Sequence, residues 1–132
     1  MPSPDRTEPA IPAWPTELRL LADKRGLLVR FDDGFSAEIS AEMLRVMSPS
    51  AEVQGHTPDE RKTIPGKREV AIIGIEPVGN YAIRITFDDL HDSGIYGWPL
   101  LYRYGRDREA LFAEYLAELE AKGLSRERAR RG

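Results

Sequence analysis

The sequence predicts an α+β domain with a mostly antiparallel β-sheet, a short helix after the first meander and a C-terminal helix. Three observations carry this reading. Short alternating segments near the start are closed by Gly-bearing turns, which suits antiparallel hairpins. Two further apolar segments follow a long polar stretch, and a helical apolar period appears only after residue 107. The order meander, helix, two more strands, helix describes an α+β domain.

The elements follow in order. Residues 1–15 (MPSPDRTEPAIPAWP) read as a Pro-rich disordered leader, with Trp14 as its expected anchor on the domain. Residues 17–21 (ELRLL), 27–31 (LLVRF) and 35–39 (FSAEI) are three expected strands, with Phe35, Ala37 and Ile39 facing inward. The turns between them carry Gly26 and Gly34. Ser40 is placed to cap a helix over residues 41–47, Glu42 sits in its first turn, and Pro49 stops it. Residues 48–65 are polar and rich in turn formers, a long loop for a small domain.

A central strand is expected over residues 70–77, with Gly74 marking a bulge. Another follows over residues 81–87, its buried face made by Tyr81, Ile83, Ile85 and Phe87. Asp107 is the expected cap of the last helix. Leu111, Phe112, Tyr115, Leu116 and Leu119 make its apolar face, Gly123 ends it, and Glu118 and Lys122 form an i,i+4 pair. Residues 16–123 thus form one domain, and the basic residues 124–132 are expected to fray.

The 132 residues suffice for one core, and a net charge of -3 with 31% charged residues argues against a membrane span and against a dedicated nucleic-acid binder. Cysteine is absent, which removes disulfides, thiolate metal sites and a cysteine nucleophile. Residues 1–15 lack the apolar run of a secretory signal, so the expected location is cytoplasmic.

Catalytic patterns are sparse. Ser93, His91 and Asp92 supply the types of a hydrolytic triad, but neighbours in sequence rarely take that geometry, and no GxSxG occurs. No Gly-rich phosphate loop is present. His56, His91 and Asp89 match the types of an iron facial triad but not the HxD…H spacing of such enzymes. The pairs Asp32-Asp33 and Asp88-Asp89 are expected to cap turns.

Two longer motifs remain, AEMLRVMSPSAEVQGH over residues 41–56 and ITFDDLHDSGIYGW over residues 85–98. Together they resemble the DUF971 family, the gamma-butyrobetaine hydroxylase-like N-terminal domain in its stand-alone bacterial form. In the hydroxylases of gamma-butyrobetaine and trimethyllysine this domain precedes a separate iron- and 2-oxoglutarate-dependent catalytic domain. The resemblance implies that catalysis lies in a part not seen in this chain. It also implies a zinc site, whose three cysteines fall on Ser48, Ser50 and Val53 and whose histidine falls on His91. Hydroxyls are poor zinc ligands and Val53 offers none, so no metal and no cofactor are expected.

The domain also resembles the C-terminal appendage of some P-loop ATPases with iron–sulfur clusters. The resemblance therefore implies a non-catalytic interaction domain acting in trans on a protein partner, an iron–sulfur assembly factor or an oxygenase. The alternative is a metal- or small-ligand-binding subunit of an iron/2-oxoglutarate oxygenase system. Partner-binding candidates are His56, His91, Tyr96 and Trp98, the two aromatics being readable either as core or as an exposed patch.

Overall fold

The structure is a computed structural model and describes residues 13–128. Its strands are β1 (Pro15–Leu20), β2 (Gly26–Phe31), β3 (Ser36–Ser40), β4 (Ile72–Val78), β5 (Ala82–Phe87) and β6 (Ile95–Gly97). Its helices are α1 (Ala41–Val46), α2 (Ala51–Gln54), α3 (Trp98–Arg106) and α4 (Arg108–Ala121), with a 3-10 turn at Pro58–Glu60. The α+β class is as predicted, but the strands divide into two antiparallel meanders, β1-β2-β3 and β4-β5-β6.

The two sheets share one core. Leu27, Val29 and Phe31 from β2 and Ala37 and Ile39 from β3 join Ile72, Ile83, Ile85, Phe87 and Tyr96 of the second sheet. Met43 and Leu44 of α1 and Leu101 and Tyr104 of α3 complete the cluster. Burying such side chains is the main stabilising term, at ~1.5–3 kcal/mol for each large one. β3 keeps the period-2 pattern, with Ala37 and Ile39 buried and their neighbours exposed, whereas β2 is buried along nearly its whole length. The expected bulge at Gly74 is present as a register shift between Ile72 and Gly74. Ser40 caps α1 as expected, its hydroxyl accepting the Met43 N–H at 3.0 Å.

Several expectations need correction. Tyr81 lies outside β5 and is exposed, and Ala82 is buried in addition to the predicted face. β6 and α3 were not expected. α3 opens on Trp98-Pro99, where a proline suits the first helical turn because its missing N–H has no partner to lose. Gly105 lets α3 approach β3, since a Cβ there would stand 3.1 Å from that of Ala37. Asp107 does not cap α4 through its side chain. It marks the break between α3 and α4, and its carboxylate takes the Arg106 guanidinium at 3.0 Å. On α4, Leu116 is exposed rather than part of the buried face. Glu118 takes Arg61 and Thr63 instead of pairing with Lys122, whose ammonium reaches Thr63.

The chain ends also differ from expectation. The Trp14 indole is exposed, and attachment comes from buried Ala13 and from the Trp14 backbone, whose N–H donates to the Asp32 carboxylate and whose carbonyl accepts the Asp32 N–H. Residues 1–12 of the expected leader lie outside the described residues, as do residues 129–132 of the tail. Residues 124–128 are not frayed. Ser125 and Arg126 carbonyls accept the Gly66 and Arg68 N–H groups, and Arg126 grips buried Glu42 with two hydrogen bonds of 2.7 and 2.9 Å.

Candidate functional site

The loop after α1 and the segment after β5 meet, and the residues at their meeting point are mostly polar. Pro49 ends the helical path, leaving Ser48 in the interior with its side chain free to bond sideways. Ser48 Oγ lies 2.9 Å from His91 Nε2 and accepts the Ser50 N–H at 3.2 Å. His91 Nδ1 faces Glu52 Oε1 at 3.0 Å. Ser50 caps α2 by accepting the Glu52 N–H, and its hydroxyl meets that of Ser93 at 2.6 Å. Ser93 in turn donates to Glu52 at 3.1 Å. Each polar group in this ring has a partner, as buried polar groups require.

The donors assign the tautomer. With the proton of His91 on Nδ1 and given to Glu52, Nε2 accepts from the Ser48 hydroxyl. Burial and the nearby Arg45 guanidinium hold the His91 pKa below its ordinary value, against the opposing pull of Glu52 and Asp89. The ring is therefore neutral near pH 7.

Ser48, His91 and Glu52 have the connectivity of a serine–histidine–acid triad, a set that sequence reasoning missed. The triad weighed from the sequence, Ser93–His91–Asp92, does not form, because Ser93 bonds to Ser50 and Glu52. Yet Ser48 is 0% exposed, and a Cβ at Gly94 would stand 2.4 Å from its Oγ. A nucleophile needs an open position about 3 Å from its oxygen for the reacting carbon. Gly94 fills that approach, so the triad geometry serves as a fastening.

The inherited zinc positions converge in part. Ser48 touches His91, and Ser50 is tied to Ser93 two residues further on. The donor set does not fit zinc: both hydroxyls are committed to other bonds, and Val53 is a buried alkyl group. Among the described residues no cluster of three or more His, Asp or Glu side chains is placed to hold a metal.

The four partner-binding candidates do not form one exposed patch. Tyr96 is 0% exposed, and its hydroxyl donates to the Leu44 carbonyl at 2.5 Å, which makes it core. Burial raises its pKa. Trp98 is half-buried against the core, its indole N–H bonded to the Asn80 carbonyl at 2.9 Å. His91 is buried in the ring just described. His56 alone is exposed, its backbone N–H taken by Glu60 where Gly55, at φ +69°, turns the chain.

Beside this ring lies a charged one. Asp89 Oδ2 takes Arg45 at 2.7 Å and Lys67 at 2.5 Å, and Oδ1 accepts the His91 N–H at 3.0 Å. Partial burial raises the Asp89 pKa, but these hydrogen bonds and the Arg45 charge outweigh it and hold the value down at about 2. Asp88 and Asp89 line a cleft of about 160 Å³ with Gly66, Lys67, Glu69 and Arg128. The pair Asp32-Asp33 works elsewhere: Asp32 accepts the Trp14 N–H, and Asp33 accepts the Phe35 N–H and the Tyr102 hydroxyl.

The model of the family described as gamma-butyrobetaine hydroxylase-like, N-terminal, matches residues 18–102, which hold every residue of both rings. The chain belongs to this family. A solved solution structure is 41% identical, covering 90% of this chain and 94% of its own, with a TM-score of 0.76. A second is 39% identical over 100% of this chain and 94% of its own, also at 0.76. A crystal structure of a DUF971 protein of unknown function from Acidithiobacillus ferrooxidans is 34% identical, covering 67% and 89%, at 0.56. No curated protein matches. No helix among the described residues is long and apolar enough to cross a membrane.

Proposed function

We propose that this gamma-butyrobetaine hydroxylase-like domain is a non-catalytic accessory module that acts in trans on a protein partner in the cytoplasm. The partner is an iron–sulfur assembly factor or an oxygenase. The observation that carries this reading is that Ser48 is sealed within its connection to His91 and Glu52. Among the described residues, the constellation with catalytic connectivity has no approach for a substrate at Ser48 and spends its hydrogen bonds on joining two loops. The sequence also has no cysteine, so a role beside iron–sulfur proteins would rest on surface contact and not on holding a cluster.

The test pairs two measurements on the full chain. Affinity capture from a native lysate should return one protein in stoichiometric amount. Elemental analysis of the purified protein, with and without ferrous iron and 2-oxoglutarate, should give well under one metal per chain. Stoichiometric iron with 2-oxoglutarate and no captured partner would favour the ligand-binding alternative and overturn the proposal.

A further inference from the structure

Leu90 is the most exposed large apolar side chain among the described residues, at 76%, and it stands at φ +73°. That backbone region suits glycine and, less well, Asn or Asp. A leucine there is strained by its own Cβ. Nothing in the fold repays the strain through packing, since the side chain is in water.

The turn that displays it is nevertheless firmly built. Leu90 N–H donates to the Phe87 carbonyl at 2.8 Å, and Phe87 N–H to the His91 carbonyl at 3.0 Å. Asp88 N–H donates to the Ala71 carbonyl at 2.9 Å, and Asp89 is held by Arg45, Lys67 and the His91 N–H. A strained residue persists where its surroundings over-determine it, and such residues gather at functional positions. Three aspartates flank Leu90, against Arg45 and Lys67 on Asp89 and Arg128 in the cleft beside Asp88. Arg45 and Lys67 neutralise Asp89, whereas Asp88 and Asp92 are exposed and make no ion pair among the described residues.

We infer that Leu90 is a docking knob, rimmed by Asp88 and Asp92, for an apolar pocket bordered by lysine or arginine on a protein partner. The inference rests on the trans-acting reading above. Charge complementarity selects the occupant. A basic border would neutralise the two free aspartates while its pocket buries the leucine, and aspartates at the rim repel anionic lipid.

The test uses a helical peptide with an apolar stripe bordered by lysines, titrated into isotopically labelled protein, and a glutamate-bordered peptide as control. The lysine peptide should shift the amides of residues 88–93, with binding weakened by salt. Leu90→Gly and Leu90→Asn should weaken it at least about tenfold. Their melting temperature should not fall, because both residues tolerate positive φ. Asp88→Asn with Asp92→Asn should weaken binding several-fold and flatten the salt dependence.

Equal binding by the Leu90 variants, or equal binding of the glutamate peptide, would overturn the inference. So would a loss of more than about 5 °C in Leu90→Gly, which would make Leu90 structural. Concentration-dependent dimerisation abolished by Leu90→Gly would assign the knob to a second copy, and Leu90-dependent binding to phosphatidylcholine vesicles would assign it to a membrane; either overturns it. If Leu90→Gly captures the same lysate protein as the parent, the trans-acting reading stands and this inference fails. If the parent captures nothing, that reading fails while the peptide titration still decides on Leu90.

Discussion

Helix α1 is fastened at both ends, by opposite means. Six residues are too few for a helix to hold itself in water, so tertiary contacts must do it. At its first turn, Glu42 is buried at 5% exposure and gripped by Arg126 from 84 residues away, with Arg126 also lying 5.2 Å above the Phe112 ring. At its other end the work falls largely to neutral hydroxyls. Tyr96 donates to the Leu44 carbonyl, Tyr104 to the Met47 carbonyl at 2.7 Å, and Ser48 joins His91. Carbonyls at a helix C-terminus lack intrahelical donors, and the tyrosines supply them. The ionic fastening depends on one partner for a buried charge. The neutral one spreads its loss over several bonds.

The largest expected effect lies at the neutral end, because packing is lost there as well. Tyr96→Ala should cost ~3–5 kcal/mol, the range for a buried aromatic emptied to a cavity. Tyr96→Phe removes only the hydroxyl and should cost ~1–2 kcal/mol. Urea melts of both variants separate cavity from hydrogen bond. A folded Tyr96→Ala protein of parental stability would show that the core does not close around this ring.

Next is the ionic end. Arg126→Ala leaves the Glu42 carboxylate buried without its cation. Stranding a buried charge costs ~3–5 kcal/mol, and a third of the Arg126 side chain is already exposed, so water can enter and about 2–3 kcal/mol is expected. Replacing both residues by Met should recover most of the loss. If the double variant is as unstable as Arg126→Ala, the strap contributes through its backbone bonds to Gly66 and Arg68 instead.

Smaller still is Ser48→Ala, which strands His91 Nε2 and the Ser50 N–H and should cost ~1–3 kcal/mol. The same position offers a gain. Ser48→Cys, Ser50→Cys and Val53→Cys together present three thiolates toward His91 and should bind about one zinc per chain in a chelator competition. The unmodified protein should hold well under one. Failure of the triple variant to bind zinc would mean that the loop does not bring residue 53 to the ring.

The two ends of α1 also differ in how legible they were. Ser40, Glu42 and Pro49 mark the helix itself through local chemistry, and the motif around SPSAEVQGH with HDSGIY pointed to Ser48 and His91 as neighbours. Alternation located β3 and β5, and apolar content located β4. What escaped was set by tertiary contact. Arg126 lies in a stretch with the composition of a frayed tail, and only the folded chain shows a buried carboxylate waiting for it. β6 is three residues long, too short for a period, and α3 begins on an apolar stretch that reads equally as strand. Glu52 carries no local sign that its carboxylate meets His91. Tyr96 and Trp98, alternatives in the sequence, separate because β6 ends at Gly97: Tyr96 faces the core from the strand, and Trp98 opens α3 along the border of the core.

The smallest expected effect concerns acid, and it falls on the neutral end through the charged group beside it, Asp89. Arg45, in the last turn of α1, is held by Asp89, whose pKa of about 2 lies below the ordinary value of 3.8. A carboxylate depressed in the folded state adds stability that is fully present above its unfolded pKa and disappears as pH falls through the folded one. The window is therefore about pH 4 to 2. The shift corresponds to ~2.5 kcal/mol at most, and solvent screening at this partly exposed pair brings the expected loss to about 1–2 kcal/mol. His91 acts in the same direction but earlier. Its folded pKa is lowered from 6.5, so the neutral ring is favoured by folding, and that contribution begins to fade as pH drops below about 6.5. Urea midpoints measured from pH 7 to 2 should thus fall in two stages. Asp89→Asn should flatten the lower stage and leave the upper one, while His91→Gln should do the reverse. A single acid transition unaffected by Asp89→Asn would show that Arg45 and Lys67 do not hold this carboxylate in solution, and that hydroxyls alone fasten the end of α1.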